Sequence, residues 1–365
     1  MRQLPYLENG GIVTVVGIFS SKAVSLSNVA KDIAFVVQRM GYIPRLFTYI
    51  MPSYEVKRIC DRVIYVMTYS PVWCTHWVLN ARDVYRAGTG RPVVFYGTVE
   101  GEIKEHLLYE WMKDCVPYVA NSYYTKSKLE NAGIRVFDVV YHGVNFEEVN
   151  IAKRIMKGMR NYIEGKVGGG VIFGAVLSDH PRKGLDRLLQ AFAKVREKDK
   201  DAKLYLLTSR PVPRIPGVYH DDRFGKYGKV EILALMGAFD YLVIPSYCEG
   251  FGLPLIEANA MGTPVIHCNY PPLSEITNDA NITIDFVDIQ KVDLEEGVLY
   301  EYHLYKVEDL ADAMLEAMDI RRFKKDKYED MQAKVMEATR KFDVMNVYPR
   351  LLEILEKVRR RDVIL

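Results

Sequence analysis

Glu249 and Glu257 stand eight residues apart around Gly250, Gly252 and Pro254, in the stretch "EGFGLPLIEANAMGTPVIHCN" (249–269). Carboxylates at that spacing can accept hydrogen bonds from the hydroxyls of one polyhydroxylated ligand. Two carboxylates also suit general acid and base work. The residues between them select the first use. Pro254 fits the opening of a helix, where its missing N–H has no intrahelical partner. Gly250 and Gly252 allow a tight backbone turn against a ligand. Amides from Phe251 to Leu255 would then face an anionic group such as a diphosphate, with the positive end of the helix behind them. The reading places Glu257 on the first turn, where the helix dipole keeps it ionised and favours hydroxyl recognition over proton donation. The ordinary alternative is one helix-end acid and one solvent-facing loop acid.

A second cluster lies in "GAVLSDHPRKGLDRLLQAF" (174–192). Lys183 follows a strand-like run and precedes an amphipathic helix, so its ammonium could neutralise phosphate there. Arg182 could share the task through a bidentate contact. The loop of "VGIFSSKAVSLSNVAKD", with Gly17 as a candidate cofactor-binding position, is rich in small and hydroxyl residues; Ser25 or Ser27 could cap the following helix, whose free amides could face a phosphate or acceptor. It is neither a dinucleotide fingerprint nor a P-loop.

The elements that must hold these residues alternate in type. Strand-like runs occupy 11–19, 45–50, 62–69, 91–97, 115–122 and 135–143. They resume at 171–177, 203–209, 241–246, 264–269 and 282–287, with helical spacing between them. Such alternation predicts an α/β protein with mostly parallel sheets covered on both faces. At 365 residues the chain is long for a single core, and "EGKVGGG" (164–170) reads as a linker. The expected organisation is two doubly wound domains, 1–163 and 171–345. A terminal helix (346–365) could complete the second or cross back to the first. The loop after each strand falls at the carboxyl edge of its sheet, where open parallel sheets bind ligands.

Composition narrows the function classes. A formal charge of +2 from 49 basic and 47 acidic residues is too balanced for a nucleic-acid footprint. No apolar run is long enough to cross a bilayer, and no signal-peptide pattern opens the chain. Five scattered cysteines without paired spacing argue against a disulfide framework or zinc site, and for a reducing cytoplasm. No metal ligand set is expected. Asp221-Asp222 reads as a solvated loop, and His267 as a satisfied core residue. Trp73 and Trp77, spaced i,i+4, read as a packed pair, with acceptor or peripheral membrane contact as the alternative.

Three blocks resemble the retaining, two-domain family 4 glycosyltransferases related to sucrose synthase and glycogen synthase: 120–149, 174–192 and "EGFGLPLIEANAMGTPVI" (249–266). The last block is the most specific. The resemblance implies Rossmann-like domains facing across a cleft (the GT-B fold), with the donor mainly on the second and the acceptor on the first. It implies transfer of a sugar from a nucleoside-diphosphate donor to a hydroxyl of a carbohydrate, lipid or other acceptor, with no metal or other cofactor. Glu249 would meet the transferred sugar, Glu257 the ribose, and Lys183 the diphosphate. Phe251, Gly252, Leu253 and Pro254 would frame sugar and diphosphate, and Ser209 in "LLTSRPVPRIPG" would line the nucleotide-side wall. Two departures stand out. Ala175 follows Gly174 where the family carries arginine nearby, and Tyr96 stands where a histidine is usual. Arg182 could replace the missing arginine's charge, and Tyr96 could donate a hydrogen bond in the histidine's place or be a structural tyrosine at a strand end. A catalytically inactive sugar-nucleotide-binding protein, a sugar-nucleotide epimerase and a phosphorylase remain the alternatives.

Overall fold

Strand and helix alternate through residues 14–86 and 90–361, the residues that the computed structural model describes. The chain divides into two units. The first contains β1 (Val15–Ser20), α1 (Val24–Arg39), β2 (Ile43–Phe47), α2 (Ser53–Ile59), β3 (Arg62–Thr68), α3 (Pro71–Arg86), β4 (Val93–Thr98), β5 (Glu102–Ile103), β6 (Tyr118–Ala120), α4 (Tyr123–Asn131) and β7 (Val136–Val139). The second contains α5 (Phe146–Val167), β8 (Ile172–Val176), α6 (Leu185–Lys198), β9 (Lys203–Leu207), β10 (Val218–Asp221), α7 (Lys229–Gly237), β11 (Tyr241–Ile244), α8 (Leu253–Met261), β12 (Val265–Cys268), α9 (Leu273–Ile276) and β13 (Ile282–Ile284). β14 (Asp288–Asp293) and β15 (Val298–Leu304) follow, then α10 (Val307–Phe323) and α11 (Lys325–Thr339) of the second unit. α12 (Val344–Val347) and α13 (Pro349–Arg361) return to the first unit.

Each unit is built on a six-stranded parallel sheet. The orders are β2-β1-β3-β4-β6-β7 and β10-β9-β8-β11-β12-β13. Both reverse direction at an internal point, between β1 and β3 and between β8 and β11. This is the doubly wound, Rossmann-like arrangement expected from the alternating pattern. The short β10 and the β14–β15 pair were not read from the sequence. β10 is four residues long, with side chains that are polar as often as apolar, so it lacks the apolar run of a buried strand. The strand expectation at 11–13 and the terminal residues 362–365 lie outside the described residues.

Aromatic side chains fill much of the first unit's core. Phe19, Tyr65 and Phe95 are register partners on β1, β3 and β4. Their rings stack at 5.0 and 5.9 Å. Tyrosine serves in such places because an apolar body can end in one satisfied polar atom. Tyr65 donates to Asn80 (2.7 Å), Tyr270 to the Ser246 carbonyl (2.8 Å) and Tyr328 to the Asp240 carbonyl (2.7 Å). Trp73 and Trp77 lie four residues apart on α3 but differ in exposure. Trp73 is 62% exposed, whereas Trp77 meets Tyr65 edge-on at 6.4 Å.

The division between units falls between Gly143 and Val144, about twenty residues before the 164–170 segment. The reason is α5, whose amphipathic face packs on α7 within the second unit. Arg160 of α5 donates from Nη1 to Asp240 Oδ2 and to the Ala238 carbonyl, both at 3.0 Å. Buried Asp240 also accepts from the Ile172 amide (2.8 Å) and from Arg321 (2.7 Å). The glycines at 168–170 end a helix, and the contacts of that helix decide its unit.

α13 packs on β4 and α1 of the first unit. Leu351, Leu352, Leu355 and Val358 are buried there, and Arg350 pairs with Asp138 at 2.6 Å. Gly174, on β8, touches the ring of Phe239 so closely that an added Cβ would lie 1.9 Å from Cδ2. Gly174→Ala is therefore expected to lower stability by about 1–3 kcal/mol through overpacking. Urea unfolding that left the midpoint unchanged would contradict this packing.

Candidate functional site

The loops after β8 and β11 meet at the second unit's topological switch point. A one-turn 3₁₀ segment, Pro181–Lys183, follows β8, and the His180 ring caps it by accepting from the Arg182 amide at 3.2 Å. Gly184 ends the turn at φ +65°, a left-handed conformation open to glycine. An added Cβ there would sit 2.0 Å from the Pro245 carbonyl oxygen, so glycine also lets the two loops touch. The Tyr247 amide donates to the Arg182 carbonyl at 2.8 Å, fastening one loop to the other. Tyr305 donates to the Pro245 carbonyl at 2.6 Å.

Lys183, Arg182 and Glu249 converge in that junction. Lys183 Nζ donates to Glu249 Oε1 at 2.6 Å and Oε2 at 2.8 Å. Arg182 Nη1 donates to Glu249 Oε2 and to the Cys248 carbonyl, each at 3.1 Å. Arg182 and Glu249 are buried, and Lys183 is mostly so. Burial alone would raise the Glu249 pKa, but the two cations hold it down to about 2. Two positive charges against one carboxylate leave the junction with a local excess of one, suited to an anionic group.

α8 begins one residue after Gly252, which takes φ +99° and packs where a Cβ would meet Leu273 at 2.3 Å. Pro254 lies at the helix start as its position predicts. Phe251 is buried, whereas Leu253 and Pro254 are half-buried. The Leu255 amide donates to the Gly252 carbonyl at 2.9 Å, so it is removed from the set expected to face a ligand. Glu257 is the fifth helical residue and lies beyond the first turn. Burial is the main influence on its carboxyl and raises its pKa. Lys229 opposes that rise and Glu148 adds to it. The expectation that a helix N-terminus governs Glu257 gives way to desolvation and these two neighbours, because macrodipole effects fade within the first turn.

Other expected positions separate from this junction. Ser209 is exposed in the loop after β9, at the same carboxyl edge of the sheet. Gly17 is buried inside β1, three residues before its end, where an added Cβ would crowd Cys60 Sγ at 2.7 Å. Its surroundings identify a packing residue. Tyr96 is likewise buried in β4. Its hydroxyl lies 2.8 Å from both the Val140 carbonyl and His142 Nδ1, where it ties β4 to the turn at 142–145. That network occupies the group expected to act near the acceptor. Burial pushes its pKa well above the ordinary phenol value.

Asp221 departs from the solvated-loop expectation. It ends β10 as a buried carboxylate and accepts from Tyr205 (2.5 Å), Tyr227 (2.7 Å) and Arg223 Nε (2.9 Å). Burial raises its pKa, but these donors outweigh that effect and hold it well below the usual carboxylate range. His267 matches its core assignment, bonded to the Cys268 carbonyl (2.9 Å) and Thr277 Oγ1 (2.8 Å), with burial pushing its pKa down to about 4.

Comparison with known proteins places this geometry in context. Residues 169–319 match the family described as "Glycosyl transferases group 1". A glycosyltransferase of Sulfolobus islandicus rod-shaped virus 1, itself uncharacterised, is 28% identical over 90% of this chain and 97% of its own. A Rickettsia africae glycosyltransferase structure superposes with TM-score 0.71 at 15% identity, covering 95% of this chain and 99% of that one. Anabaena HepE in complex with UDP and glucose gives TM-score 0.64 at 14% identity, covering 94% and 100%. The structural matches establish a likeness of fold, with two Rossmann-like domains of the GT-B type.

The depressed Glu249 pKa makes a signed prediction. Its stabilising contribution is complete above the unfolded carboxylate value near 4.5 and is lost as pH falls towards about 2. Wild-type urea midpoints should fall more steeply across that window than those of Glu249→Gln. At neutral pH the variant should be less stable by about 3–5 kcal/mol, because two cations lose their carboxylate. Parallel curves of equal height would show that the cluster contributes nothing.

Proposed function

We propose that this chain, whose residues 169–319 match the family described as group 1 glycosyl transferases, transfers a sugar from a nucleoside-diphosphate donor to an acceptor hydroxyl with retention of anomeric configuration. The observation that carries the proposal is the Lys183–Glu249–Arg182 cluster at the mouth of β8 and β11, beside the start of α8. In this reading the donor diphosphate lies against Lys183 and the helix start. The transferred sugar meets Glu249, and the nucleotide ribose meets Glu257. Phe251, Gly252, Leu253 and Pro254 shape the backbone between them, while Ser209 lies towards the nucleotide side.

In that arrangement the bond between the anomeric carbon and the diphosphate oxygen breaks as positive charge grows on the sugar ring. The acceptor oxygen forms its bond on the same face, and its proton passes to a phosphate oxygen of the leaving group. Lys183 stabilises the charge that accumulates on the diphosphate, an electrostatic task needing neither a protein nucleophile nor a metal. Arg182 acts mainly through the loop, because its Nη1 donates to Glu249 and the Cys248 carbonyl. Lys183 and Glu249 hold each other before the donor arrives. Binding therefore exchanges part of their contact for phosphate on one side and sugar hydroxyls on the other.

The UDP complex of the Anabaena neighbour makes UDP the first nucleotide to try. Calorimetry with UDP, GDP, dTDP and ADP should find one clear binder. Glu257→Ala and Lys183→Ala should each weaken it at least about tenfold, the scale of one charged hydrogen bond. Absence of binding by all four, or binding indifferent to both substitutions, would remove the donor-site assignment. With a working acceptor, a product of inverted anomeric configuration by NMR would remove the retaining mechanism.

A further inference from the structure

Four consecutive backbone carbonyls lead up to Glu249, and each accepts a hydrogen bond from another segment of the second unit. Tyr305 donates to Pro245 at 2.6 Å, and Tyr270 to Ser246 at 2.8 Å. The His303 amide donates to Tyr247 at 2.9 Å, with its ring Nδ1 3.1 Å from the same oxygen, and Arg182 donates to Cys248 at 3.1 Å. Buried carbonyls need partners, but water can supply them. Here the donors are themselves held. His303 stacks on Tyr270 at 4.4 Å and 8°, and Phe286 meets it edge-on at 4.9 Å. Tyr302 stacks on Tyr247 at 5.1 Å, while Tyr300 sits 5.3 Å from His180, the cap of the turn bearing Lys183. β15 and the residue just after it thus reach both loops of the junction.

We propose that Tyr305, Tyr270 and His303 are positioning residues for Glu249: by holding three consecutive carbonyls they fix the backbone from which its carboxylate meets the transferred sugar. The inference rests on the donor-site reading above. Before the donor arrives, Lys183 and Arg182 hold the Glu249 side chain directly. Binding exchanges part of the Lys183 contact for sugar hydroxyls, so the carboxylate then keeps its place through its backbone. A loop that is already ordered loses little conformational freedom at that moment. The diphosphate and ribose meet Lys183 and Glu257 instead. The three carbonyl contacts therefore serve the sugar half of the donor.

The test compares a nucleotide with its sugar conjugate by calorimetry. UDP-glucose, GDP-mannose, ADP-glucose and dTDP-glucose are each tried beside their own diphosphate, and the pair that binds the wild type is carried forward. Tyr305→Phe and Tyr270→Phe keep the rings and remove one hydroxyl each. Either should weaken the sugar conjugate about fivefold, within the scale of one neutral hydrogen bond, and leave the bare diphosphate unchanged. His303→Phe keeps a ring against Tyr270 but removes Nδ1, and should act in the same direction. Tyr328→Phe is the matched control, because it removes a 2.7 Å phenol bond to the Asp240 carbonyl, outside this loop. It should lower the melting temperature while both affinities stay at their wild-type values.

Equal losses for diphosphate and conjugate, no loss for either, or the same selective loss from Tyr328→Phe would overturn the inference and leave the donor site standing. A wild type that binds a diphosphate but none of the conjugates would remove the sugar role of Glu249, and the inference with it. One that binds neither would remove the whole donor-site reading. Melting temperatures of every variant separate these outcomes from unfolding.

Discussion

One buried carboxylate shared by two adjacent cations organises the second unit's working end. Glu249 could not stay ionised in its burial without Lys183 and Arg182, and the two cations would repel each other without Glu249. The contact joins loops about sixty-six residues apart in the chain. Gly184 lets their backbones touch, and the Tyr247 amide secures them. The ion pairs that leave a local excess of positive charge also hold the two loops together.

Sheet topology explains why the meeting occurs at that place. β8 and β11 are neighbours, but the chain reaches them from opposite winding directions, so their carboxyl ends open a crevice that no crossover covers. Residues leaving either strand must enter it. Pro181–Lys183 and the loop to α8 are both short, which brings their side chains there without long flexible segments. A parallel sheet thus supplies the address, and short loops supply the residues.

Polar residues reveal where tertiary surroundings overrule local reasoning. Asp221 looks like half of a solvated acidic pair, yet two phenols and a guanidinium make it a buried structural anchor. Tyr96 occupies a strand end by sequence, but the Val140 carbonyl and His142 claim its hydroxyl. Glu257 was read against its own helix. Its ionisation depends instead on packing and on side chains from two other helices. In each case the deciding partner lies outside the local stretch that suggested the role.

The amino-acid order alone determined the alternation of strands and helices, the glycine and proline turn before α8, and the spacing of Glu249 and Glu257. Those features depend on local periodicity and backbone freedom, which a single segment contains. The pairing of Lys183 and Arg182 with Glu249, the membership of α5 and the burial of Tyr96 were decided by tertiary structure. They depend on approaches between distant segments, and on the desolvation those approaches impose. The triple glycine at 168–170 shows the difference plainly. By sequence it reads as a linker, whereas in the fold it ends α5, and the contacts of α5 with α7 and Asp240 place that helix in the second unit.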